Sequence, residues 1–468
     1  MARVLTPQAE DFPRWYQDVL AKAELAENGP VRGTMVIRPW AYGIWELLQR
    51  RLDDRIKASG ARNAYFPVLI PESYMRREAD HVEGFSPELA VVTVAGGKEL
   101  AEPAVVRPTS ETIINASLAR WISSYRDLPM KVNQWANVVR WELRPRLFLR
   151  SSEFLWQEGH SAHTTREEAH AYALDILENA YAETMKRDLA IPVWRGRKTD
   201  REKFAGADVS WSCEGLMRDG KALQMGTSHE LGQNFARAFD ITYTDKRGEV
   251  QRPWQTSFGA STRLLGATIM VHGDDDGLRL PPRIAPVQVV VLIARAGEGV
   301  PEEATRLVDD LTSTGIRAEL DPHTDVSVGR RIVDWELRGV PVRIELGPRD
   351  IAAGQASIAL RARAEKTTHA LQGLARAVPA ILEAEQDELL RQATDLRDRL
   401  TSRATTLPEA IEQTRAGAAR IPWARLGLDG ERRLLDDGIS VRCLVREDGE
   451  PLDDIDADGV DAIVARAY

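Results

Sequence analysis

The stretch "NQWANVVRWELRPRLFLRSSEFLWQEGH" (Asn133–His160) threads four arginines (Arg140, Arg144, Arg146, Arg150) and three glutamates (Glu142, Glu153, Glu158) through apolar, strand-forming sequence. Buried charges are costly unless they are paired or used. Side chains alternate faces along a strand. One face of a first strand therefore carries Val132, Gln134, Ala136, Val138, Arg140 and Glu142. "LRPRL" (Leu143–Leu147) is a turn candidate through Pro145. A return strand from Phe148 puts Arg150, Ser152, Phe154, Trp156, Glu158 and His160 on one face. Paired antiparallel, the two strands form a floor of arginines, carboxylates and flat rings. A guanidinium fork matches phosphate oxygens, Phe154 can stack on a base, and a carboxylate can accept from an exocyclic amine or a substrate ammonium. The competing reading is an amphipathic hairpin with cross-strand ion pairs on a solvated face. Alternation with Phe and Trp, in place of small polar residues, weighs against it.

A third arginine stands in "QTSFGASTRLLGATIMVHGDDDG", where a strand enters an apolar helix at Arg263. Helix N-termini favour anions, so an arginine there is explained by bound phosphate, or by pairing with Asp274–Asp276. In "RPTSET", Thr109 or Ser110 caps a helix and Glu111 occupies its first turn. "REKFAGAD" and "QMGTSHELGQNF" read as loops dense in Phe, Gly, Thr and His. A lone histidine such as His229 is more often structural. No GxxxxGK[ST] and no GxGxxG occurs, so a nucleotide would bind without a glycine-rich loop.

The elements that must position these residues follow from texture. Residues 1–284 are rich in Trp, and "LPPRIAP" (Leu280–Pro286) marks a break. Beyond it, "VQVVVLIA", "IRAEL", "VPVRIEL" and "QASIALRARA" read as strands separated by the helices "PEEATRLVDDLTSTG" and "VGRRIVDWELRG", a compact α/β module. A long helical pattern spans His369–Ala404, and Thr405–Tyr468 is weakly patterned. The 468 residues are 43% hydrophobic and 28% charged with net charge −9, an ordinary globular balance without a global basic field. No apolar run is long enough for a transmembrane helix and no signal pattern opens the chain. A cytoplasmic protein with no membrane association is expected. Only Cys213 and Cys443 occur, without a CxxC, which argues against a disulfide framework or a cysteine zinc site.

Taken together, and over about Leu5–Glu365, these segments resemble the prolyl-tRNA synthetases of class II, in the archaeal/eukaryote-like type. "GTMVIRPWAYGIWELLQRRLDDRIKASGARNAYFPVLIPES" (Gly33–Ser73) resembles the first class motif, which implies a homodimer interface. The hairpin resembles the second motif, and "GASTR" the third. "RPTSET" and "KFAGAD" resemble segments specific to the proline enzymes, and "GPRD" (Gly347–Asp350) resembles part of their anticodon-binding domain. The resemblance implies an α/β multi-domain fold. A class II catalytic domain, an antiparallel sheet flanked by helices, would cover residues 1–284. An α/β anticodon-binding domain would cover 285–395, and a small α+β C-terminal domain 396–468.

It implies ATP-dependent activation of L-proline and its transfer to tRNA(Pro), with Mg²⁺ sharing the phosphate charge. Arg140 would contact the α-phosphate and the proline carboxylate. Glu142 would read the adenine amine and Phe154 would stack on the ring. Arg150 and Arg263 would hold the distal phosphates, and Gln224 and Thr227 the nucleotide. Thr109 and Glu111 would bind the imino group. Trp156, Glu158, His160, Phe204, His229 and Ser261 would wall the proline ring.

The chain departs from the family at Phe258, where Trp is usual, and at Ser152, where Arg is usual. The Ala162–Gln255 spacing is too short for an editing insertion, so no hydrolysis of alanyl-tRNA is expected. The four cysteines of the family's zinc site are lacking, so no zinc is expected. The final Tyr468 matches a family ending that tucks back towards the catalytic domain. The departures motivate an alternative, a duplicate synthetase retained for inhibitor resistance. A non-catalytic regulatory paralogue and a ligase serving a carrier protein are further alternatives. The intact arginine set opposes the former and the α/β module at Val287–Ala364 the latter.

Overall fold

The computed structural model describes residues 4–79, 89–142, 144–455 and 457–468. Helix α1 (Phe12–Lys22) is capped by the Asp11 side chain and buries Trp15, Tyr16, Val19 and Leu20. Helix α2 (Pro39–Ala58) opens on a proline that suits a first helical turn. Its apolar stripe, Ile44, Leu48, Leu52 and Ile56, faces the main core as the spacing predicts.

Helix α3 (Glu111–Trp121) is followed by the predicted hairpin, β1 (Met130–Val139) and β2 (Glu153–His163). Helix α4 (Arg166–Asp175) leads through a π-helical stretch to β3 (Val193–Arg197), β4 (Val209–Leu216), β5 (Ala222–Gly232) and β6 (Trp254–Ser261). Helix α5 (Arg263–His272) starts on the third arginine, as expected.

The second module contains β7 (Val289–Ile293), α6 (Val300–Ser313), β8 (Ala318–Asp321), α7 (Val328–Leu337), β9 (Val342–Leu346), β10 (Gln355–Leu360) and β11 (Glu365–Ala370). Its five strands lie in the order β8–β7–β9–β10–β11. The β7 pairings are parallel, as helical crossovers require, and the last two are hairpin-like and antiparallel. The long helix α8 is Leu374–Arg399, shorter than the His369–Ala404 pattern. His369 belongs instead to β11, whose edge pairing with β10 overrides the local helical pattern.

The weakly patterned end folds as β12 (Thr401–Arg403), α9 (Leu407–Gln413), β13 (Ala418–Pro422), α10 (Trp423–Asp436), β14 (Ser440–Arg446) and β15 (Val460–Ala465). Its strands continue the sheet that holds the β1–β2 hairpin. The eleven-stranded order is β12–β13–β15–β14–β3–β4–β5–β6–β2–β1, closed by the short strand Arg62–Asn63. The join at β14–β3 rests on Leu444 opposite Arg197. At this seam Gly196 lies so close that an added Cβ would meet Leu444 O at 2.6 Å and Cys443 Cβ at 2.7 Å. Cys213 and Cys443 are buried free thiols.

Candidate active site

The hairpin register pairs Gln134 with Glu158, Ala136 with Trp156 and Val138 with Phe154. One face therefore collects Phe154, Trp156, Glu158 and His160, as alternation predicts. The strands stop earlier than expected, at Val139 and Glu153. Between them the chain forms a loop in which Arg146 and Arg150 pair locally. Leu143, one end of the predicted turn, lies outside the described residues.

This floor, the N-terminus of α3, strands β5 and β6 and the loop after β3 enclose a cavity of about 480 Å³. Its lining includes Thr109, Glu111, Arg140, Phe154, Trp156, Glu158, His160, Phe204, Gln224, Thr227, His229, Ser261 and Arg263. Thirteen residues expected from different parts of the chain thus share one wall. Glu142 and Arg150 do not line it. They stand on the loop outside, paired with each other at 3.8 Å, because the loop leaves the sheet after Arg140.

Arg140 is held by its Nε–H, which donates to Pro108 O at 2.9 Å. Its guanidinium carbon lies 5.7 Å from the Phe154 ring centre and 5.4 Å from that of Trp156. Its terminal amino groups carry no protein hydrogen bond among the described residues. Burial pulls its pKa down against Glu111 and Glu158, which oppose the shift.

Arg263 donates to Leu149 O at 3.1 Å and Gln224 O at 3.3 Å. Burial, then Arg140 and Arg150, lower its pKa to about 10. It is not paired with the acidic run, since Asp274 takes Arg361 of the second module. Two cations with mutual repulsion and few anions between them form a site that an anion would stabilise.

Thr109 donates to Glu111. Ser110 does not cap α3 with its side chain. Its hydroxyl accepts from Gln134 at 2.8 Å while its backbone N–H donates to Glu158 at 3.2 Å. Gln134 also donates to Glu158 at 2.6 Å. Burial would raise Glu158, yet His160, Ser110 and Gln134 hold its pKa below the ordinary value. The carboxylate is thereby kept charged and fixed.

His229 bonds Ser210 Oγ at 2.8 Å and stacks near Phe204, ring centres 4.9 Å apart. Burial, then His160 and Lys198, push it down to about 3, so the ring is neutral. "QMGTSHELG" is a strand, not the expected loop. Opposite Cys213 and Glu214 an extra residue, Met225, bulges β5. The bulge lets Gln224 and Thr227, three positions apart, both line the cavity. Phe258 also lines it, and Ser152 does not. Ser152 is buried against Gly33, with its hydroxyl accepting from Glu142 N at 3.3 Å. Lys198, Glu202, Ser210 and Ser257 also line the cavity. Nothing in their local sequence distinguishes them from ordinary strand and loop residues.

Two family models match the chain: the tRNA synthetase class II core domain (G, H, P, S and T) over residues 93–272 and an anticodon binding domain over 288–381. The proline--tRNA ligase 2 of Streptomyces avermitilis is 59% identical over 468 residues, which is all of this chain and 99% of the relative. The chain belongs to the prolyl-tRNA synthetases. The proline--tRNA ligase of Frankia alni is 58% identical over 99% of this chain and all of its own. Among solved structures, prolyl-tRNA synthetase from Cryptosporidium parvum complexed with halofuginone and AMPPNP superposes with a TM-score of 0.93 at 35% identity, over 99% of this chain and 97% of that one. The same enzyme complexed with L-proline and AMP gives 0.91 at 34% identity, with the same coverages. As a synthetase of this family the chain carries a class II core and an anticodon-binding domain, and the second α/β module is the latter.

Proposed function

We propose that the cavity binds ATP and L-proline side by side and that Arg140 joins them. The chain is a proline--tRNA ligase. In its first step a proline carboxylate oxygen attacks the α-phosphorus, the bond to pyrophosphate breaks, and prolyl-adenylate forms. In the second a terminal ribose hydroxyl of tRNA attacks the acyl carbon and AMP leaves. The observation that carries the residue assignment is Arg140, anchored through Nε with its amino groups free beside two aromatic rings. Such a guanidinium can bridge a carboxylate and a phosphate and oppose the charge that grows in the transition state.

Arg263 takes the departing phosphates, Phe154 the adenine ring, and Gln224 and Thr227 the remainder of the nucleotide. Glu111, with Thr109, receives the proline imino group. Trp156, Glu158, His160, Phe204, His229 and Ser261 wall the ring, with neutral His229 suited to a small apolar neighbour. Glu142 and Arg150 act once nucleotide draws their loop over the cavity. Mg²⁺ would be carried by the phosphates and would add Lewis-acid stabilisation of the leaving group. The nearby carboxylates fit that arrangement, since Glu111 and Glu158 already accept from Thr109, Ser110 and Gln134.

The partner is tRNA(Pro), read by the module after residue 285, with a catalytic unit before it and a C-terminal unit from 396. No helix among the described residues is long and apolar enough to cross a membrane, and a cytoplasmic setting is proposed. A homodimer is proposed through the segment after α2, where Tyr65, Leu69, Val91, Val94 and Trp121 are exposed. Proline-dependent ATP–pyrophosphate exchange tests the activity. Exchange that proline fails to stimulate in the presence of Mg²⁺ would overturn it. Sedimentation velocity tests the dimer.

A further inference from the structure

Behind the cavity wall lies a buried ionic cluster with two cations and one anion. Lys198 lines the cavity, and its ammonium donates to Glu214 at 2.7 Å and to Arg442 O at 2.5 Å. Arg442 donates to Glu214 from Nε at 3.1 Å and from a terminal nitrogen at 2.9 Å. Ser212 Oγ donates to Glu214 at 3.0 Å. The exposures are 4% for Lys198, 0% for Glu214 and 8% for Arg442. Lys198 comes from the loop just after β3, Glu214 from β4, and Arg442 from β14 of the C-terminal unit.

Glu214 can neutralise only one of its partners, so the cluster keeps one surplus positive charge. Uncompensated buried charge is costly. Glu202, a further carboxylate of the wall that acts on Arg442, is only half-buried, where water screens it. We propose that the C-terminal unit completes the catalytic cavity by supplying, through Arg442, the positive charge that Lys198 presents to an anionic group of the substrate. Arg442 is a positioning residue that acts through Lys198, and the contribution of both is electrostatic. The inference rests on the reading of the cavity as the ATP and proline site. Both the phosphates and the proline carboxylate have the required chemistry.

The experiment is proline-dependent ATP–pyrophosphate exchange on the full chain, with KM for ATP and for proline determined separately from kcat. Lys198→Met and Arg442→Met each remove one positive charge. Each is expected to raise one KM roughly tenfold, the effect of one partly screened unit charge. A rise for ATP assigns the phosphates and a rise for proline the carboxylate. Arg442→Lys keeps the charge and is expected to retain most affinity. The double variant Arg442→Met with Glu214→Gln restores the surplus and is expected to recover the KM. A purely structural role predicts that this double variant is worse than either single change. Should Arg442→Met not fold by thermal unfolding, Lys198→Met and Glu214→Gln shift the same balance in opposite directions from the catalytic side. Unchanged KM values in both, or no recovery in a folded double variant, overturns the proposal. Failure of the wild-type chain to exchange is a different result and overturns the assignment of the site.

Discussion

Gly159 and Phe258 face each other on β2 and β6, and a Cβ on Gly159 would lie 2.1 Å from Phe258 Cζ. The Phe258 ring is buried and meets Tyr172 and Tyr181 edge-on, with centres 5.9 and 6.4 Å apart. Gly159 therefore leaves room for the ring on the face of the sheet opposite Glu158 and His160. Gly159→Ala is expected to destabilise the fold by about 1–3 kcal/mol through overpacking and to raise KM for proline. Denaturant unfolding and exchange kinetics check both, and an unchanged pair of values refutes the role of the contact.

With Arg140 bridging the proline carboxylate and the α-phosphate as proposed, Arg140→Ala would remove charge-assisted contacts to two substrate groups at once. Loss of one such donor set costs roughly 3–4 kcal/mol, or a hundredfold or more in kcat. Arg140→Lys keeps the charge but not the fork, and is expected to recover little. Near-normal exchange in either variant would show that another residue bridges the substrates.

Arg150 is half-exposed and pairs with Glu142 only at 3.8 Å. Its removal is expected to leave thermal stability unchanged and to raise KM for ATP. A drop in melting temperature without a KM effect would make the pair structural.

Burial holds three histidines below their ordinary value: His163 at about 4, and His229 and His272 at about 3. Above the unfolded pKa of about 6.5 neither state binds these protons, and the stability is fully present. As pH falls the unfolded chain takes them up first, so stability is lost from about pH 6.5 down through the folded values. Three such protons give a slope of at most roughly 4 kcal/mol per pH unit. Denaturant midpoints between pH 7 and pH 5 check this, and His272→Gln is expected to flatten the slope. A flat profile for the native chain would refute it.

Asp274, just past α5, accepts from Arg361 of the anticodon-binding module at 2.7 Å. Asp274→Asn is expected to cost about 1–3 kcal/mol and to impair tRNA charging more than pyrophosphate exchange. Equal effects on the two assays would argue that the pair does not link the module to the helix carrying Arg263.

Much of this was legible in the sequence because it is periodic. The stripe of α2, the alternation of the hairpin and the strand–helix order of the second module follow from where apolar side chains recur. The chemistry of the floor was legible for the same reason, since Arg140, Phe154, Trp156, Glu158 and His160 differ by even steps or cross a readable turn. Where expectations changed, the extent of strand pairing most often decided the outcome. "QMGTSHELG" was rich in loop-forming residues, yet two neighbouring strands satisfy its backbone, and pairing outweighs local preference. Glu142 and Arg150 continue the alternation on paper, but the ladder ends at Val139 and Glu153.

The sequence by itself determined the periodic elements, the arginine-and-aromatic floor and the family. Only the tertiary structure decided which distant residues share the cavity. The bulge at Met225, the entry of Arg263 from the start of α5, and the meeting of Lys198 and Glu214 with Arg442 depend on strand pairings between segments far apart in the chain. Local periodicity encodes which way a side chain points within its own strand. It does not encode which other strand will lie beside it.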